Sequence, residues 1–161
     1  MERSKRILVI DDDPNNVELI VSALAREDFP HETIVAHDGA DALDYLCGRG
    51  THAGRNGLPP DLVLLDLKMP RVDGFEFLRE LRAEDAFKLL PVVVFSSSED
   101  EGDRLKSYQL GANAYAVKPV DYEEFLRAIH AIGEFWAVVN QPPPSNGWNT
   151  RQSASLLAAA A

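Results

Sequence analysis

Five short runs of mostly apolar residues alternate along the chain with longer amphipathic stretches. The runs are Ile7–Ile10, Thr33–Ala36, Leu62–Leu65, Val92–Phe95 and Ala114–Val117, and helical periodicity occupies about 14–27, 39–47, 74–83, 99–110 and 122–139. Runs that are apolar throughout are typical of strands covered on both faces of a parallel sheet. The alternation therefore predicts a doubly wound α/β fold, in which helices pack on both faces of a five-stranded parallel sheet.

Local signals indicate where several helices begin and end. Asp13 followed by Pro14 is typical of an N-cap and a first helical residue, and Gly111 lies where a left-handed residue would end the fourth helix. Two further helix starts are indicated by capping-box spacing, at Ser98 with Glu101 and at Asp121 with Glu124.

The length of the chain indicates a single domain, since 161 residues is the size of one ordinary domain. Glycines and prolines crowd residues 48–60, which predicts a long flexible loop. A proline run, polar residues and closing alanines follow the last helix. We expect residues 1–140 to form the domain and residues 141–161 to form an extended tail, too short and polar for a DNA-binding unit.

Charge, cysteine content and hydropathy exclude several classes of protein. The formal net charge is −10, so duplex nucleic acid is not an expected partner. Cys47 is the single cysteine, which excludes an internal disulfide and a cysteine-clustered metal site. No apolar run approaches the roughly 20 residues of a membrane span, and the N-terminus lacks a signal-peptide core. We expect a cytoplasmic protein that does not bind membranes.

Side chains suited to metal and phosphate chemistry directly follow four of the predicted strands. They are Asp11, Asp12 and Asp13 after the first strand, Asp66 after the third, Ser96 and Ser97 after the fourth, and Lys118 after the fifth. The carboxyl ends of parallel strands meet at one edge of the sheet, where doubly wound folds bind ligands. Crowded carboxylates need a cation, and hard oxygen ligands suit Mg²⁺. A lysine and a hydroxyl beside them suit the oxygens of a phosphoryl group.

Some of these side chains have simpler structural explanations. Asp13 is most simply the cap of the first helix, and Ser96 alone is weak because serines often follow strands. Asp11 and Asp12 have little structural use after a buried strand, and burying Asp66 without a purpose would be costly. The functional interpretation therefore depends on the acidic pair and Asp66.

Taken together, these motifs resemble the receiver domain of bacterial response regulators. The matching segments are Ile10–Asp13, Leu65–Pro70 with Asp73 and Gly74, Phe95–Ser97 and Tyr115–Pro119, within a resemblance that covers about residues 5–139. The loop at 48–60 and the segment Gly133–Trp136 are similar to single-domain regulators that accompany phytochrome-type histidine kinases. The resemblance implies a flavodoxin-like (βα)5 receiver fold with strand order 2-1-3-4-5, and a sensor histidine kinase, such as a bacteriophytochrome, as partner.

The resemblance also implies a role for each residue of the site. Asp66 would be the phosphoacceptor, and Asp12 would bind Mg²⁺ directly while Asp11 helps through water. Asp66 and the backbone carbonyl of Lys68 would complete the protein's share of the metal ligands. Lys118 would pair with the phosphoryl oxygens, and its bond to the following proline would be cis. The protein would thus catalyse its own Mg²⁺-dependent phosphorylation and dephosphorylation without being an enzyme that acts on a separate substrate.

Ser96 and Tyr115 would form the switch of such a domain. On phosphorylation of Asp66, the Ser96 hydroxyl would turn to hydrogen-bond the new oxygens, and Tyr115 would rotate inward into the vacated space. The simpler interpretation of Tyr115 is an ordinary aromatic residue on a strand.

Two other functions are compatible with parts of the pattern. A haloacid-dehalogenase-type phosphatase would use Asp11 as nucleophile with Asp13 two residues on, although Asn15 replaces the expected Thr or Val and no late acidic pair follows the fourth strand. An inactive binding module of the same fold is disfavoured because all the acidic positions are filled.

The last helix predicts a homodimer. Its apolar residues form two adjacent stripes, of which one broad face could simply be core. Phe135, Trp136, Val138 and Val139, however, crowd its C-terminal end and would project past the sheet. Exposed apolar patches usually mark interfaces, and a two-fold dimer is the simplest closure.

Overall fold

The computed structural model describes residues 3–55 and 58–144. Its strands are β1 (Lys5–Ile10), β2 (His31–Ala36), β3 (Leu62–Leu65), β4 (Val92–Ser96) and β5 (Ala114–Val117). They form one parallel sheet in the order β2-β1-β3-β4-β5. The predicted sheet and its strand order are therefore confirmed.

In the part of the chain that the structure describes, five α-helices connect the strands or follow the last one. They are α1 (Pro14–Leu24), α2 (Gly39–Cys47), α3 (Gly74–Ala83), α4 (Glu101–Gln109) and α5 (Tyr122–Gly133), and a π-helical segment (Glu134–Val139) extends α5. Among residues 3–55 and 58–144, no helix has the length and apolar character needed to cross a membrane.

Apolar residues fill the space on both sides of the sheet, because alternate strand residues point to opposite faces. On one face, strand residues such as Leu8 and Leu65 pack against α2 and α3. On the other, strand residues such as Val9 and Phe95 pack against α1 and α5. The interior strands are therefore buried on both faces, as their continuous apolar runs predict.

Most helix ends lie close to the predicted positions, with exceptions at the start of α4 and at the end of α1. The Asp13 and Asp121 carboxylates cap α1 and α5, and Gly111 has a φ of 102° just after α4. The capping box at Ser98 is wrong, because Asp100 caps α4 by accepting a hydrogen bond from the Asp103 amide. The Ser98 hydroxyl instead donates to the Asp103 carboxylate at 2.7 Å.

Helix α1 ends three residues earlier than its periodicity predicts. The amides of Arg26 and Glu27 donate to carbonyls three residues back, at 3.2 and 3.0 Å. The chain thus leaves the α-helix through a tighter, 3₁₀-type turn.

The glycine-rich segment after α2 is fastened to that helix. It contains a 3₁₀ turn at Gly50–His52, and the Arg55 guanidinium lies 3.9 Å from the centroid of the Tyr45 ring. His52 Nε2 lies 2.9 Å from Asp41 Oδ1. Residues 56 and 57 of this loop lie outside the described residues. In the predicted tail, residues 141–144 have no regular secondary structure, and residues 145–161 lie outside the described part of the chain.

Candidate functional site

A buried ion pair lies at the carboxyl edge of the sheet. Asp11 directly follows β1 and is 1% exposed, while Lys118 directly follows β5 and is 8% exposed. Lys118 Nζ donates to Asp11 Oδ2 at 2.6 Å, and the amide of Asp13 donates to Asp11 Oδ1 at 2.9 Å. Both oxygens of Asp11 are therefore engaged, which suits a positioning group better than a nucleophile.

The geometry around Asp13 also disfavours a phosphatase that uses Asp11 and Asp13, the acids after the first strand. The Asp13 carboxylate accepts a hydrogen bond from the Asn15 amide at 2.9 Å and caps α1. Because that oxygen satisfies the end of the helix, the structural explanation of Asp13 is the one observed.

Asp66 directly follows β3 and lies beside this ion pair. Its Oδ1 is 3.4 Å from Lys118 Nζ, and its side chain is 12% exposed. Burial raises the pKa of Asp66 to about 6, the nearby Asp11 carboxylate adds to the rise, and Lys118 opposes it. The Asp66 side chain is thus partly accessible to a reacting partner, whereas Asp11 is almost completely buried.

Asp12 completes a cluster of three carboxylates. Oxygens of Asp11, Asp12 and Asp66 all lie within 4.8 Å of one another, and Asp12 is exposed to solvent. Oxygen ligands at this separation, with an open side for water, suit a hard divalent cation such as Mg²⁺. The residues present therefore fit the metal site that the sequence predicts.

A cleft of about 340 Å³ opens over Asp12 and Asp66. Lys68, Ser96 and Lys118 line it, together with Asn16, Ser97 and Ser98. Asn16 is not among the site residues predicted from sequence. Its place in the first turn of α1, three residues after the Asp13 cap, is the signal that could have indicated it.

Glycine at position 74 lets α3 begin directly beside the site. A Cβ atom there would lie 2.5 Å from the Asp66 carbonyl oxygen and 2.7 Å from Leu67 Cα. The Gly74 amide donates to the Leu67 carbonyl at 2.8 Å. The sequence motif contains Gly74, but periodicity gives no indication of this close approach.

The two switch candidates lie on neighbouring strands. Ser96 is 2% exposed at the end of β4, and its Oγ accepts a hydrogen bond from the Ser98 amide at 3.2 Å. The Tyr115 hydroxyl donates to the Ser98 carbonyl at 2.9 Å, and its ring is half-buried against the core. Tyr115 is therefore already directed inward, onto the loop that follows Ser96.

The peptide bond between Lys118 and Pro119 is trans, so the cis bond implied by the resemblance is not observed. The intrinsic preference for trans before proline is small, about 0.5–1 kcal/mol. The Lys118 amide donates to the Ser96 carbonyl at 2.7 Å and so fixes the start of this turn.

The four proposed interface residues at the end of α5 differ in exposure. Phe135, Val138 and Val139 are 47%, 52% and 57% exposed. Trp136 is half-buried and packs against the core formed by α1 and α5. Three of the four residues are thus available to a partner, while Trp136 mainly belongs to the fold.

Comparisons with known proteins agree with this geometry. Residues 7–130 match the model of the response regulator receiver domain. The probable methanogenesis regulatory protein FilR2 of Methanothrix harundinacea is 34% identical over 85% of this chain and 86% of its own length. The response regulator Rcp1 of Synechocystis is 33% identical over 82% of this chain and 88% of its own length.

Solved structures give the same result. The phosphorylated cyanobacterial phytochrome response regulator RcpA is 37% identical, with a TM-score of 0.83 over 88% of this chain and 100% of its own. The Mn²⁺-bound form of Rcp1 has a TM-score of 0.81 at 32% identity, over 87% of this chain and 99% of its own. The bacteriophytochrome response regulator RtBRR is 44% identical, with a TM-score of 0.70 over 98% of this chain and 95% of its own.

The family match, the strand order and the acidic cleft leave no support for the phosphatase alternative. The chain belongs to the response regulator receiver domain family and is homologous to phytochrome response regulators.

Proposed function

We propose that Asp66 accepts a phosphoryl group from the phosphohistidine of a sensor kinase. An oxygen of the Asp66 carboxylate would attack phosphorus in line, the phosphorus–nitrogen bond would break, and an acyl phosphate would form. The observation that carries the proposal is the position of Asp66, which lines the cleft and lies 3.4 Å from Lys118 Nζ. Phosphorylated RcpA is a relative of the same fold.

The acidic cluster would hold Mg²⁺ during this transfer. Asp12 would bind it directly, Asp11 through water, and Asp66 and the Lys68 carbonyl would supply further oxygens. When bound, the ion would neutralise negative charge on the incoming phosphoryl group. The oxygens within 4.8 Å and the Mn²⁺-bound structure of Rcp1 support a divalent metal, and the all-oxygen ligand set favours Mg²⁺.

Lys118 would hold the phosphoryl oxygens once they arrive. Its ammonium is already within reach of Asp66, and Asp11 keeps it there through the 2.6 Å ion pair. A fixed cation next to the acceptor stabilises the charge that builds up on the transferring oxygens. The phosphorylation and hydrolysis of the acyl phosphate would thus be catalysed by the protein itself.

Ser96 and Tyr115 would transmit the change to the surface. The Ser96 hydroxyl would turn from the Ser98 amide toward the phosphoryl oxygens, and the loop that holds the Tyr115 hydroxyl would move with it. Phosphorylation would then strengthen the inward position of Tyr115 rather than create it.

The partner would be a histidine kinase of the phytochrome type, and both proteins would meet in the cytoplasm. Support comes from RcpA and RtBRR, which are described as phytochrome and bacteriophytochrome response regulators. A second cleft of about 420 Å³ adjoins the site and combines polar Asn16 with apolar Leu19 and Tyr122. This cleft could receive a kinase helix that brings its histidine to Asp66.

The protein would also form a homodimer through the exposed apolar end of α5. Phe135, Val138 and Val139 lie within five consecutive positions and are each about half exposed. Burying such side chains against a second copy is favourable by about 25 cal/mol per Å² of apolar surface.

A phosphorylation assay tests the proposed function. Wild-type protein incubated with acetyl phosphate and Mg²⁺ should take up one phosphoryl group, which is visible in the intact mass. A chelator or the Asp66→Asn substitution should abolish the uptake. Equal labelling of Asp66→Asn and wild type would overturn the assignment of Asp66.

A further inference from the structure

An ion pair outside the acidic cleft ties the loop between β3 and α3 to the start of α2. Arg71 Nε lies 2.8 Å from Asp38 Oδ2, and Arg71 Nη2 donates to Asp38 Oδ1 at 3.0 Å. The Asp38 side chain is 13% exposed and that of Arg71 is 63% exposed. Two parallel contacts of this kind fix the direction of a guanidinium as well as its distance.

The backbone of the loop is held at the same place. The Gly39 amide donates to the Val72 carbonyl at 3.0 Å. A Cβ on Gly39 would lie 2.5 Å from that carbonyl oxygen, so only glycine allows the approach. Arg71 itself has a φ of 63°, in the left-handed region that residues with a branched or long side chain rarely adopt. An unfavourable backbone conformation persists only where surrounding contacts determine it.

Asp38 is also held in position because it is the N-cap of α2. Its carboxylate caps α2 by accepting a hydrogen bond from the Asp41 amide at 2.8 Å. Burial would raise the pKa of Asp38, but the Arg71 guanidinium and backbone amides outweigh burial and lower it. Asp38 is therefore a fixed anion to which the loop can be attached.

The loop attached in this way carries a residue of the acidic cleft. Lys68 lines the cleft and lies between two buried neighbours, Leu67 at 1% and Met69 at 9% exposure. Near one end of the loop, the Gly74 amide bonds to Leu67. Without Arg71, the segment from Pro70 to Asp73 would lack its side-chain tie to α2.

We infer that Arg71 and Asp38 are positioning residues, which hold the loop so that the Lys68 carbonyl faces the cation site. This inference rests on the proposed metal site and adds to it a pair of residues that do not contact the metal. Loss of the ion pair leaves the carboxylates in place but allows the loop other arrangements. The affinity for Mg²⁺ then falls by the fraction of molecules in which the loop is wrongly placed.

Mg²⁺ binding measured by titration calorimetry tests the inference directly, without any phosphorylation. The variants are Arg71→Gly, which accepts the positive φ, and Asp38→Asn, which retains a good helix cap. Each should weaken Mg²⁺ binding about two- to fivefold, the range that corresponds to a partly exposed ion pair. The double variant should be no weaker than either single variant, because both remove the same interaction.

The opposite charges of the two residues make the test specific. Removing a positive charge would strengthen cation binding by reducing electrostatic repulsion. Removing a negative charge would weaken cation binding by reducing electrostatic attraction. Equal weakening by both variants therefore cannot come from net charge. Arg79→Ala is the matched control, since Arg79 also forms an exposed ion pair, with Glu76 on α3. It should bind Mg²⁺ no more weakly than wild type.

Amide hydrogen exchange gives an independent readout. Exchange in residues 68–73 should be faster in both Arg71→Gly and Asp38→Asn, while the sheet remains protected. Wild-type affinity in these two variants, or equal weakening in Arg79→Ala, would overturn the role of the ion pair. Wild-type protein that does not bind Mg²⁺ would overturn both this inference and the proposed metal site.

Discussion

At the scale of single residues, the acidic cleft depends on one lysine that is shared between two carboxylates. Lys118 bonds Asp11 at 2.6 Å and lies 3.4 Å from Asp66. Asp11 is almost completely buried, so its charge has little water to stabilise it. The stability of the fold and the chemistry of the site therefore depend on the same ammonium group.

Replacing Lys118 should consequently destabilise the protein. Lys118→Met leaves Asp11 buried without its partner, which should cost about 3 kcal/mol in the free energy of unfolding. The double variant Asp11→Asn with Lys118→Met should recover most of that loss, because no unpaired charge remains. Urea denaturation of wild type, Lys118→Met and the double variant measures the loss of stability and its recovery. A Lys118→Met protein as stable as wild type would contradict the buried ion pair.

Asp66 should lower the stability of the metal-free protein at neutral pH. Its pKa is raised from 3.8 to about 6 in the folded state, mainly by burial. The folded state therefore binds a proton more tightly than the unfolded state, so the free energy of unfolding falls as the pH rises from 3.8 to about 6 and stays lower above that. In the presence of a chelator, Asp66→Asn should be more stable than wild type by about 1–3 kcal/mol above this pKa.

The difference in the free energy of unfolding between Asp66→Asn and wild type should shrink as the pH falls from about 7 to 4. Over this range Asp66 of the folded wild type becomes protonated before Asp66 of the unfolded chain does, and this protonation stabilises the folded state. Denaturation curves across this range measure the change. A stability difference that does not vary with pH would show that the pKa of Asp66 is not raised.

At the scale of secondary-structure elements, the site requires α3 to begin in contact with the end of β3. Gly74→Ala would place a methyl group 2.5 Å from the Asp66 carbonyl oxygen. The resulting shift should cost about 1–3 kcal/mol and should slow phosphorylation by moving Asp66. Gly133→Ala in α5 is the matched control, since its Cβ would meet Phe29 at an ordinary 3.5 Å.

Thermal melting and the rate of phosphorylation by acetyl phosphate should separate these two variants. Gly133→Ala should be neutral or stabilising, because alanine is the better helix former by about 1 kcal/mol. Equal melting temperatures and rates for the two variants would contradict the close approach at Gly74.

The elements themselves were largely predictable from sequence, and the exceptions have physical causes. Asp13 and Asp121 cap their helices as predicted because nothing competes with the local signal. Ser98 has the right spacing for a cap, but its hydroxyl donates to the Asp103 carboxylate and its carbonyl accepts from the Tyr115 hydroxyl, and Asp100 caps the helix instead. The Asp38–Arg71 pair was not predictable, since it joins residues far apart in sequence without any periodic pattern.

At the scale of the whole molecule, four of the five strands deliver acids, a hydroxyl and a lysine to one edge of the sheet. This convergence could be predicted because parallel strands share a direction, so the residue after each strand lies at the same edge. The 2.6 Å ion pair between Lys118 and Asp11 could not be predicted, because side-chain distances depend on how the sheet twists. Likewise, the partial burial of Trp136 depends on how α5 packs against α1.

The predicted homodimer depends on the exposed apolar residues that follow α5. Phe135→Glu with Val139→Glu should convert a dimer at tens of micromolar to a monomer in sedimentation velocity, because two charges would be buried in the interface. Trp136 is left unchanged because it packs on the core. Leu89→Glu, at a site that is 51% exposed, is the control and should remain dimeric. A wild type that sediments as a monomer would exclude the dimer.

The proposed function requires that Asp66, and not Asp11, carries the phosphoryl group. After a pulse of acetyl phosphate in Mg²⁺, borohydride reduces an acyl phosphate on aspartate to homoserine, and peptide mass spectrometry locates the reduced residue. We predict homoserine at position 66 alone, because Asp66 lines the cleft while both oxygens of Asp11 are engaged. Homoserine at position 11, or its absence from position 66 in labelled protein, would contradict it.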